Sequence, residues 1–339
     1  MLRTADDATH PYAGEPVQSR YGILIVPILC IGIVDLAWSR HIGLTVHGWT
    51  WFAAAVALCV LVSFVYRKLR PAPPIARLAS YAALWIVFTA VGCIFTYLAA
   101  SASRPLVDGY LTSFDHYLGF DWIGWSNDVH RYVLLTGILR AAYDSLGLQI
   151  VVSIVVLSFG PGPDRNAELL LGAILSLALA AVISAAWPTL GPWVQFNDQH
   201  ASSDDLLYVG DILTLRAGDP ASFVLARLQG VVTFPSYHTV LAILFAYAHR
   251  GRRSFPIFLL INSLMIASIP SEGGHYLSDV LAGAGLAVVA IAAAWLILRR
   301  NVRPPVPGVP AGSLMDNDRT RYGSAIASPS QVEPARRVL

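Results

Sequence analysis

Residues 273–279, Gly-Gly-His-Tyr-Leu-Ser-Asp, begin the last long apolar run of this chain. A second polar stretch, Thr-Phe-Pro-Ser-Tyr-His-Thr at residues 233–239, stands at the start of an earlier apolar run. In each stretch the histidine lies at the mouth of an apolar segment rather than in its middle. Runs of about 20 apolar residues are long enough to span a bilayer. The two stretches therefore predict membrane-spanning helices with histidines gathered at their ends.

The composition agrees with a membrane protein. The chain has 339 residues, of which 55% are hydrophobic and only 13% are charged, whereas soluble domains carry about 25% charged residues. No basic patch interleaved with aromatic residues suggests a nucleic-acid partner. We predict an all-α, polytopic membrane helix bundle. About eight transmembrane helices are expected, near residues 21–38, 49–66, 78–100, 140–159, 168–187, 236–249, 255–270 and 276–298.

Charge in the loops predicts the orientation of the bundle. With the N-terminus inside, Arg and Lys cluster in the short inner loops, as at residues 67–77 and 250–253. Cytoplasmic loops carry such an excess. Both histidine stretches then lie on the outer face. Residues 1–20 are expected to form a cytoplasmic N-terminal segment, and residues 299–339, rich in Pro, Gly, Ser and Arg, a disordered cytoplasmic tail.

Two long outer loops separate the predicted spans. Residues 101–139 contain an acidic and aromatic stretch, for which we expect a helix lying in the membrane interface. Residues 188–235 run directly into the first histidine stretch. Loops of this length are usually functional or disordered, and the position of this one favours a function.

His238 stands in a context that suits an anion. Pro235 favours the first turn of a helix, which would place Ser236 and His238 in that turn. Free backbone N–H groups and the positive end of the helix dipole attract anions there. The alternative is a histidine hydrogen-bonded at a helix start, with Pro-Ser as an ordinary cap.

His275 and Asp279 are four residues apart, so on a helix they share one face. The carboxylate can accept the proton of one ring nitrogen and leave the other nitrogen free to attack. Gly273 and Gly274 would let the backbone approach a phosphate closely. The alternative is an interfacial His–Asp pair that only holds the end of the helix.

Joined in this order, the two stretches resemble the type 2 phosphatidic acid phosphatase (PAP2) superfamily. Its second motif, Pro-Ser-x-His, is met by Pro235, Ser236 and His238, and its third motif ends in His-x-x-x-Asp, met by His275 and Asp279. The resemblance implies a six-helix catalytic core. It would map to residues 78–298, leaving residues 21–77 as two additional transmembrane helices.

The resemblance also implies a role for each motif residue. His275 would attack phosphorus and form a phosphohistidine, and Asp279 would orient it. His238 would protonate the leaving group and then deprotonate the incoming water or alcohol. Ser236 and the amides near Gly274 would stabilise the equatorial oxygens. Neither a cofactor nor a metal ion is expected.

The chain lacks the basic residues that are usual in the first and third motifs of the family. The first motif, Lys-x6-Arg-Pro, has no counterpart, and Ile269 replaces the arginine usual in the third motif. Arg216 and Arg227 are the expected substitutes, with Arg140 and Arg131 behind them. The Gly-Gly-His-Tyr sequence and the extra N-terminal spans are similar to the inositol phosphorylceramide synthase branch.

These features predict an enzyme that moves a phosphoryl group or a phosphate-bearing headgroup, possible substrates being phospholipid, ceramide or polyprenyl phosphate lipids. Tyr143, at the outer mouth of a span, is expected to line its site. An alcohol acceptor such as inositol would make it a transferase, and water a lipid phosphate or polyprenyl diphosphate phosphatase. A metal-dependent hydrolase and a membrane transporter are the other classes considered. The expected location is the bacterial inner membrane.

Overall fold

The computed structural model describes residues 17–160 and 164–300, and in this part of the chain the fold is almost entirely helical. The polytopic all-α bundle predicted from the sequence is confirmed. The helices are α1 Val17–Ile42, α2 Trp49–Lys68, α3 Pro73–Ala100, α4 Asp108–Tyr117, α5 Trp122–His130, α6 Val133–Asp144, α7 Leu146–Phe159, α8 Arg165–Ala186, α9 Pro192–Gln195, α10 Leu207–Ala217, α11 Tyr237–Ala248, α12 Phe255–Glu272 and α13 Leu277–Arg300.

Six of these helices are long and apolar enough to cross a membrane on their own: α1, α2, α3, α8, α12 and α13. The run predicted at residues 140–159 is instead a pair of helices. It begins earlier, at Val133, and α6 and α7 are bent by 52° where they meet. Hydropathy records the apolar content of a run and not a change in its direction, so the break was not visible in the sequence.

The run predicted at residues 236–249 is also different from a full span. Helix α11 has only 12 residues, which at 1.5 Å per residue is about 18 Å, against a hydrocarbon core of about 30 Å. The polar ends of this run, at Ser236 and His249, are both fully buried in the protein. Helix α11 therefore lies inside the bundle, where its neighbours α8, α12 and α13 surround it.

Close helix contacts in the core depend on small residues. A Cβ at Gly172 of α8 would lie 2.9 Å from a methyl carbon of Leu244 in α11, and a Cβ at Gly92 of α3 only 2.3 Å from one in Leu177 of α8. Small residues let helices approach closely in lipid, where the hydrophobic effect does not drive helices together. Helix α8 thereby becomes the buried centre of the bundle.

Both long loops carry secondary structure. Residues 101–139 contain α4 and α5, and residues 188–235 contain α9, α10 and a three-residue strand, β2 Ser222–Val224. This strand pairs in parallel with β1 Thr45–His47, which connects α1 to α2. The second long loop is thus attached to the N-terminal helices. The predicted N-terminal segment 1–20 and tail 299–339 fall almost wholly outside the described residues.

Candidate active site

The His275 and Asp279 side chains are hydrogen-bonded, with 3.1 Å between His275 Nδ1 and Asp279 Oδ2. The same carboxylate oxygen accepts the backbone N–H of Tyr276 at 2.9 Å. Helix α13 begins only at Leu277, so the histidine precedes the helix instead of sharing a helical face with the aspartate. The carboxylate in the first turn reaches back across the helix start. Asp279 is fully buried and His275 is 6% exposed.

The two histidine stretches meet at this point. The backbone N–H of Ser236 donates to the carbonyl of Asp279 at 3.1 Å. Gly283, one turn along α13, lies so close to α11 that an added Cβ would be 2.4 Å from the Ser236 carbonyl oxygen. The rings of His238 and His275 are near enough to interact electrostatically. The starts of α11 and α13 are therefore packed together.

Tyr143, at the end of α6, forms one wall of the site. Its ring stacks on His238 with 4.3 Å between centroids and an angle of 16° between planes. Its hydroxyl lies 3.5 Å from His238 Nδ1. The ring edge also covers Gly273, where an added Cβ would come within 2.6 Å of Tyr143 Cε2. Tyr143 thus connects the two histidine stretches.

Ser236 has a structural position at the start of α11. It is the N-cap residue, and its Oγ accepts the Thr239 backbone N–H at 3.4 Å. The side chain is fully buried, so in this structure the hydroxyl serves the helix start. Pro235 comes one residue before the cap, and not in the first helical turn as its sequence position predicted.

Gly274 needs the backbone freedom of glycine. Its φ is +59°, in the left-handed region that other residues adopt only with strain. A Cβ there would lie 2.4 Å from Cδ2 of Trp193, which is buried in α9. The Gly274 carbonyl oxygen packs against Gly191, because a Cβ added to Gly191 would lie only 2.7 Å from that oxygen. The backbone before His275 is thus enclosed by the second long loop.

Two buried aspartates, which the sequence analysis did not select, hold the start of α13. Asp115 of α4 accepts the backbone N–H groups of Leu277 and Ser278 at 2.7 and 2.8 Å. Asp108 accepts the Tyr276 hydroxyl at 3.1 Å and the backbone N–H of Gly191 at 2.8 Å. The signal in the sequence was the acidic content of residues 101–139, but which amides these carboxylates satisfy depends on tertiary contacts.

Trp122 of α5 adds a further contact to the same segment. Its indole N–H donates to the carbonyls of His275 and Pro270, each at 3.1 Å. The nucleophile candidate is therefore fixed through its side chain by Asp279 and through its backbone by α5.

The predicted arginines lie in different surroundings. The Arg216 guanidinium donates to the Arg104 carbonyl at 2.7 Å, and Arg227 is exposed after β2. In the described part of the chain, neither arginine forms a hydrogen bond or an ion pair with His238 or His275. Arg140 of α6 instead interacts electrostatically with Tyr143 and with Glu272 beside Gly273. Arg140, which the sequence analysis ranked behind Arg216 and Arg227, is therefore the predicted arginine that lies nearest to Tyr143.

Two aspartates hold Arg140 in place. Its Nη2 lies 2.6 Å from Asp205 Oδ1 in the second long loop, and its Nε lies 3.3 Å from Asp144 Oδ2. Partial burial acts to raise the pKa of Asp205, but hydrogen bonds from Arg140 and from Ser202 outweigh it, and the pKa is lowered. Asp205 is therefore a carboxylate at neutral pH and pairs with the charged guanidinium. Among the described residues, no cluster of three His, Cys, Asp or Glu side chains is arranged to hold a metal ion.

Sequence comparison identifies the family. The profile of the PAP2 superfamily matches residues 109–293, more than half of the chain and a segment that contains both histidine stretches. The protein belongs to the PAP2 superfamily of membrane phosphatases and phosphotransferases. Searches of curated proteins and of solved structures found no match to the chain.

Proposed function

We propose that this protein transfers a phosphoryl group, or a phosphate-bearing headgroup, from a membrane lipid through a phosphohistidine at His275. The observation that supports this most directly is the 3.1 Å contact between His275 Nδ1 and Asp279 Oδ2 beside the start of α11. Because the carboxylate accepts the Nδ1 proton, Nε2 keeps its lone pair and can attack phosphorus. The new P–N bond forms as the bond to the leaving oxygen breaks.

His238 is the proposed proton carrier. It gives a proton to the leaving oxygen in the first step and takes one from the acceptor in the second, when the P–N bond breaks and His275 is regenerated. The Tyr143 hydroxyl oxygen can accept the Nδ1 proton of His238, which leaves the Nε2 proton of the charged ring for the leaving oxygen and then the Nε2 lone pair for the proton of the acceptor. Stacking by Tyr143 also limits rotation of the ring. Tyr143 is thus a positioning residue in this proposal.

Charge on the phosphate must be stabilised as the transition state forms. The backbone around Gly273 and Gly274 is one source of donors, and a cation is the other. We propose Arg140 in place of the absent family motif, since it lies beside Tyr143 while Arg216 is bonded elsewhere. In the structure Asp205 holds the Arg140 guanidinium, and substrate phosphate would compete with this carboxylate.

The acceptor decides the overall reaction. Water would make the protein a lipid phosphate or polyprenyl diphosphate phosphatase, and an alcohol such as inositol would make it a headgroup transferase. The Gly-Gly-His-Tyr sequence favours the transferase, whereas both acceptors can follow the same phosphoenzyme. We propose the outer membrane face for this chemistry, because the distribution of Arg and Lys in the loops predicts that orientation.

The test uses purified full-length protein in liposomes with radiolabelled lipid phosphates and phosphoinositides, with and without added alcohols. We expect turnover together with a trapped phosphoenzyme that is labile in acid. Incorporation of label into an added alcohol would establish transfer, and release of inorganic phosphate alone would establish hydrolysis. Activity that a chelator abolishes, with no phosphoenzyme, would contradict the proposal and indicate a metal-dependent hydrolase.

Two variants separate the roles of the histidines. His275→Ala should form no phosphoenzyme from any substrate. His238→Ala should still accumulate phosphoenzyme from a substrate with an activated leaving group, because such a group does not need protonation, and should hydrolyse it slowly. The reverse pattern would show that the roles have been assigned the wrong way round.

A further inference from the structure

A cavity extends from the His238 side chain into the apolar interior between α3, α7 and α11. It has a volume of about 190 Å³, and its lining includes His238, Tyr237, Phe88 and Val232. No Asp, Glu, Lys or Arg lines it. A phosphate group cannot be stabilised by such walls. The cavity suits the apolar part of a substrate whose phosphate lies on the other side of His238.

A larger groove adjoins this cavity on the side of α2. Its volume is about 660 Å³, within the range of roughly 300–1,000 Å³ typical of small-molecule sites. The groove is also free of charged side chains, and aromatic rings of Trp51 and Phe52 form part of it. Trp85, Thr89, Cys93 and Ile150 line both spaces. The cavity beside the candidate general acid and the groove at the surface of α2 and α3 therefore meet at these four side chains, and together they form an apolar passage.

The groove is built mainly by helices outside the segment that defines the family. More than half of its lining residues come from α2, α3 and Gly48, before the family match begins at residue 109. Strand β2 and the residues after it complete the rim through Val224 and Leu225. The pairing of β2 with β1 holds this rim against the N-terminal helices. Helices α2 and α3 thus shape a groove that shares four lining residues with the cavity beside His238.

We infer that this passage is the binding site for the hydrocarbon chain of the lipid whose phosphate reacts at His275. The inference rests on the proposed function and adds to it a place for the substrate's tail. Membrane lipid is as apolar as the groove, so the tail gains little from the hydrophobic effect on entering. The groove would instead select the chain by its length and shape, and α2 and α3 would be the specificity-determining elements.

Photolabelling tests this inference without relying on turnover. Hexadecyl phosphate with a diazirine in the middle of its chain is incubated with the full-length protein in detergent. The mixture is irradiated, and the labelled peptides are then mapped. We expect label on α3 and α7, and competition by unlabelled hexadecyl phosphate but not by hexadecanol. Label spread evenly over the lipid-facing helices, α13 included, would overturn the inference, because it would mean that bulk lipid fills the groove.

A matched pair of variants sharpens the result. Thr89→Trp places a large ring where the two spaces join, whereas Val288→Trp places the same ring on the exposed face of α13, away from both. Thr89→Trp should lower labelling of α3 and α7 about tenfold, equivalent to roughly 1.4 kcal/mol, and Val288→Trp should not. Equal labelling of both variants would contradict the inference. If Thr89→Trp does not fold, the wild-type labelling map decides.

Activity assays distinguish failure of the tail site from failure of the proposed function. Thr89→Trp should lose turnover of hexadecyl phosphate while retaining turnover of p-nitrophenyl phosphate, which has no chain. A protein that binds the probe in the groove but neither turns over any phosphate nor forms a phosphoenzyme would refute the proposed function alone. If Thr89→Trp loses turnover of both substrates while labelling of α3 and α7 is unchanged, the tail site is refuted.

Discussion

At the scale of single residues, the site depends on a buried carboxylate and a glycine in a left-handed conformation. Asp279 combines three contacts: the His275 ring, the Tyr276 amide and, through its carbonyl, the Ser236 amide. Gly274 provides the tight turn before His275. Both residues position the proposed nucleophile, and substitution of each one is expected to have a separate, measurable effect.

Replacing Asp279 with Asn should keep the size of the side chain but remove its charge. The amide no longer favours the Nδ1–H tautomer and cannot stabilise a positive ring, so we expect turnover to fall by about a thousandfold or more. Phosphoenzyme formation in single-turnover experiments measures this. Asp204→Asn, in an exposed part of the second long loop, is the control. Near-normal phosphoenzyme formation in Asp279→Asn would show that the aspartate has only a structural role.

Gly274→Ala should destabilise the site, because its φ of +59° disfavours a side chain and Trp193 already occupies the space of a Cβ. We expect a loss of stability of about 1–3 kcal/mol together with reduced turnover, measured by thermal unfolding and by assay. Gly210→Ala is the matched control, since that helical glycine faces open space. A Gly274→Ala protein as stable and active as wild type would show that the turn is not constrained as described.

At the scale of helices, α13 is positioned by α4 through Asp115. The carboxylate accepts the first two amides of α13, which lack partners within the helix, and it also complements the helix dipole. A connection of this kind makes the geometry of His275 depend on the first long loop.

Asp115→Ala should therefore lower the free energy of unfolding by about 1–3 kcal/mol, because two buried N–H groups lose their acceptor. Asp128→Ala removes an exposed aspartate paired with Arg131, a kind of pair that contributes about 0–1 kcal/mol. Thermal unfolding of the two variants gives the comparison. Similar losses in both would contradict the capping role of Asp115.

Helix α6 and the second long loop are joined by the pair of Arg140 and Asp205. If phosphate competes with Asp205 for Arg140, the two substitutions should act in opposite directions. Arg140→Ala should weaken inhibition by inorganic phosphate by about tenfold to a hundredfold, whereas Asp205→Asn should strengthen it. Weakening by both variants would mean that the pair only holds the loop in place. Inhibition constants measured on p-nitrophenyl phosphate decide between these outcomes.

At the scale of the whole molecule, the distribution of arginine and lysine predicts which side of the membrane carries the site. In a protein whose own cysteines, Cys30, Cys59 and Cys93, are replaced, Ser203→Cys should react with a membrane-impermeant maleimide on intact cells. Arg253→Cys should react only after the cells are opened. Both positions are exposed in the structure. Labelling of both positions in intact cells, or the opposite pattern, would refute the predicted orientation.

The membrane class, the helical bundle and the membership of the family were accessible from the sequence alone. An apolar run long enough to span a membrane can be recognised from consecutive residues alone. Motifs such as Pro235-Ser236-x-His238 also lie within a few consecutive residues. The bend between α6 and α7 and the burial of α11 inside the bundle were not accessible, because they depend on packing against neighbouring helices.

Only the tertiary structure brought Asp115 and Asp108 to the start of α13, since both lie far from it along the chain and nothing local marks their partners. Tyr143 and Arg140 were candidates from the sequence, but their contacts with His238 and with Asp205 were not predicted. The same holds for the passage from His238 to α2, whose walls come from segments separated by more than a hundred residues. Sequence determined which groups can carry the chemistry, because residue type sets hydropathy and acid–base character. Long-range packing decided which groups share one site, because contact between distant segments is a property of the folded chain.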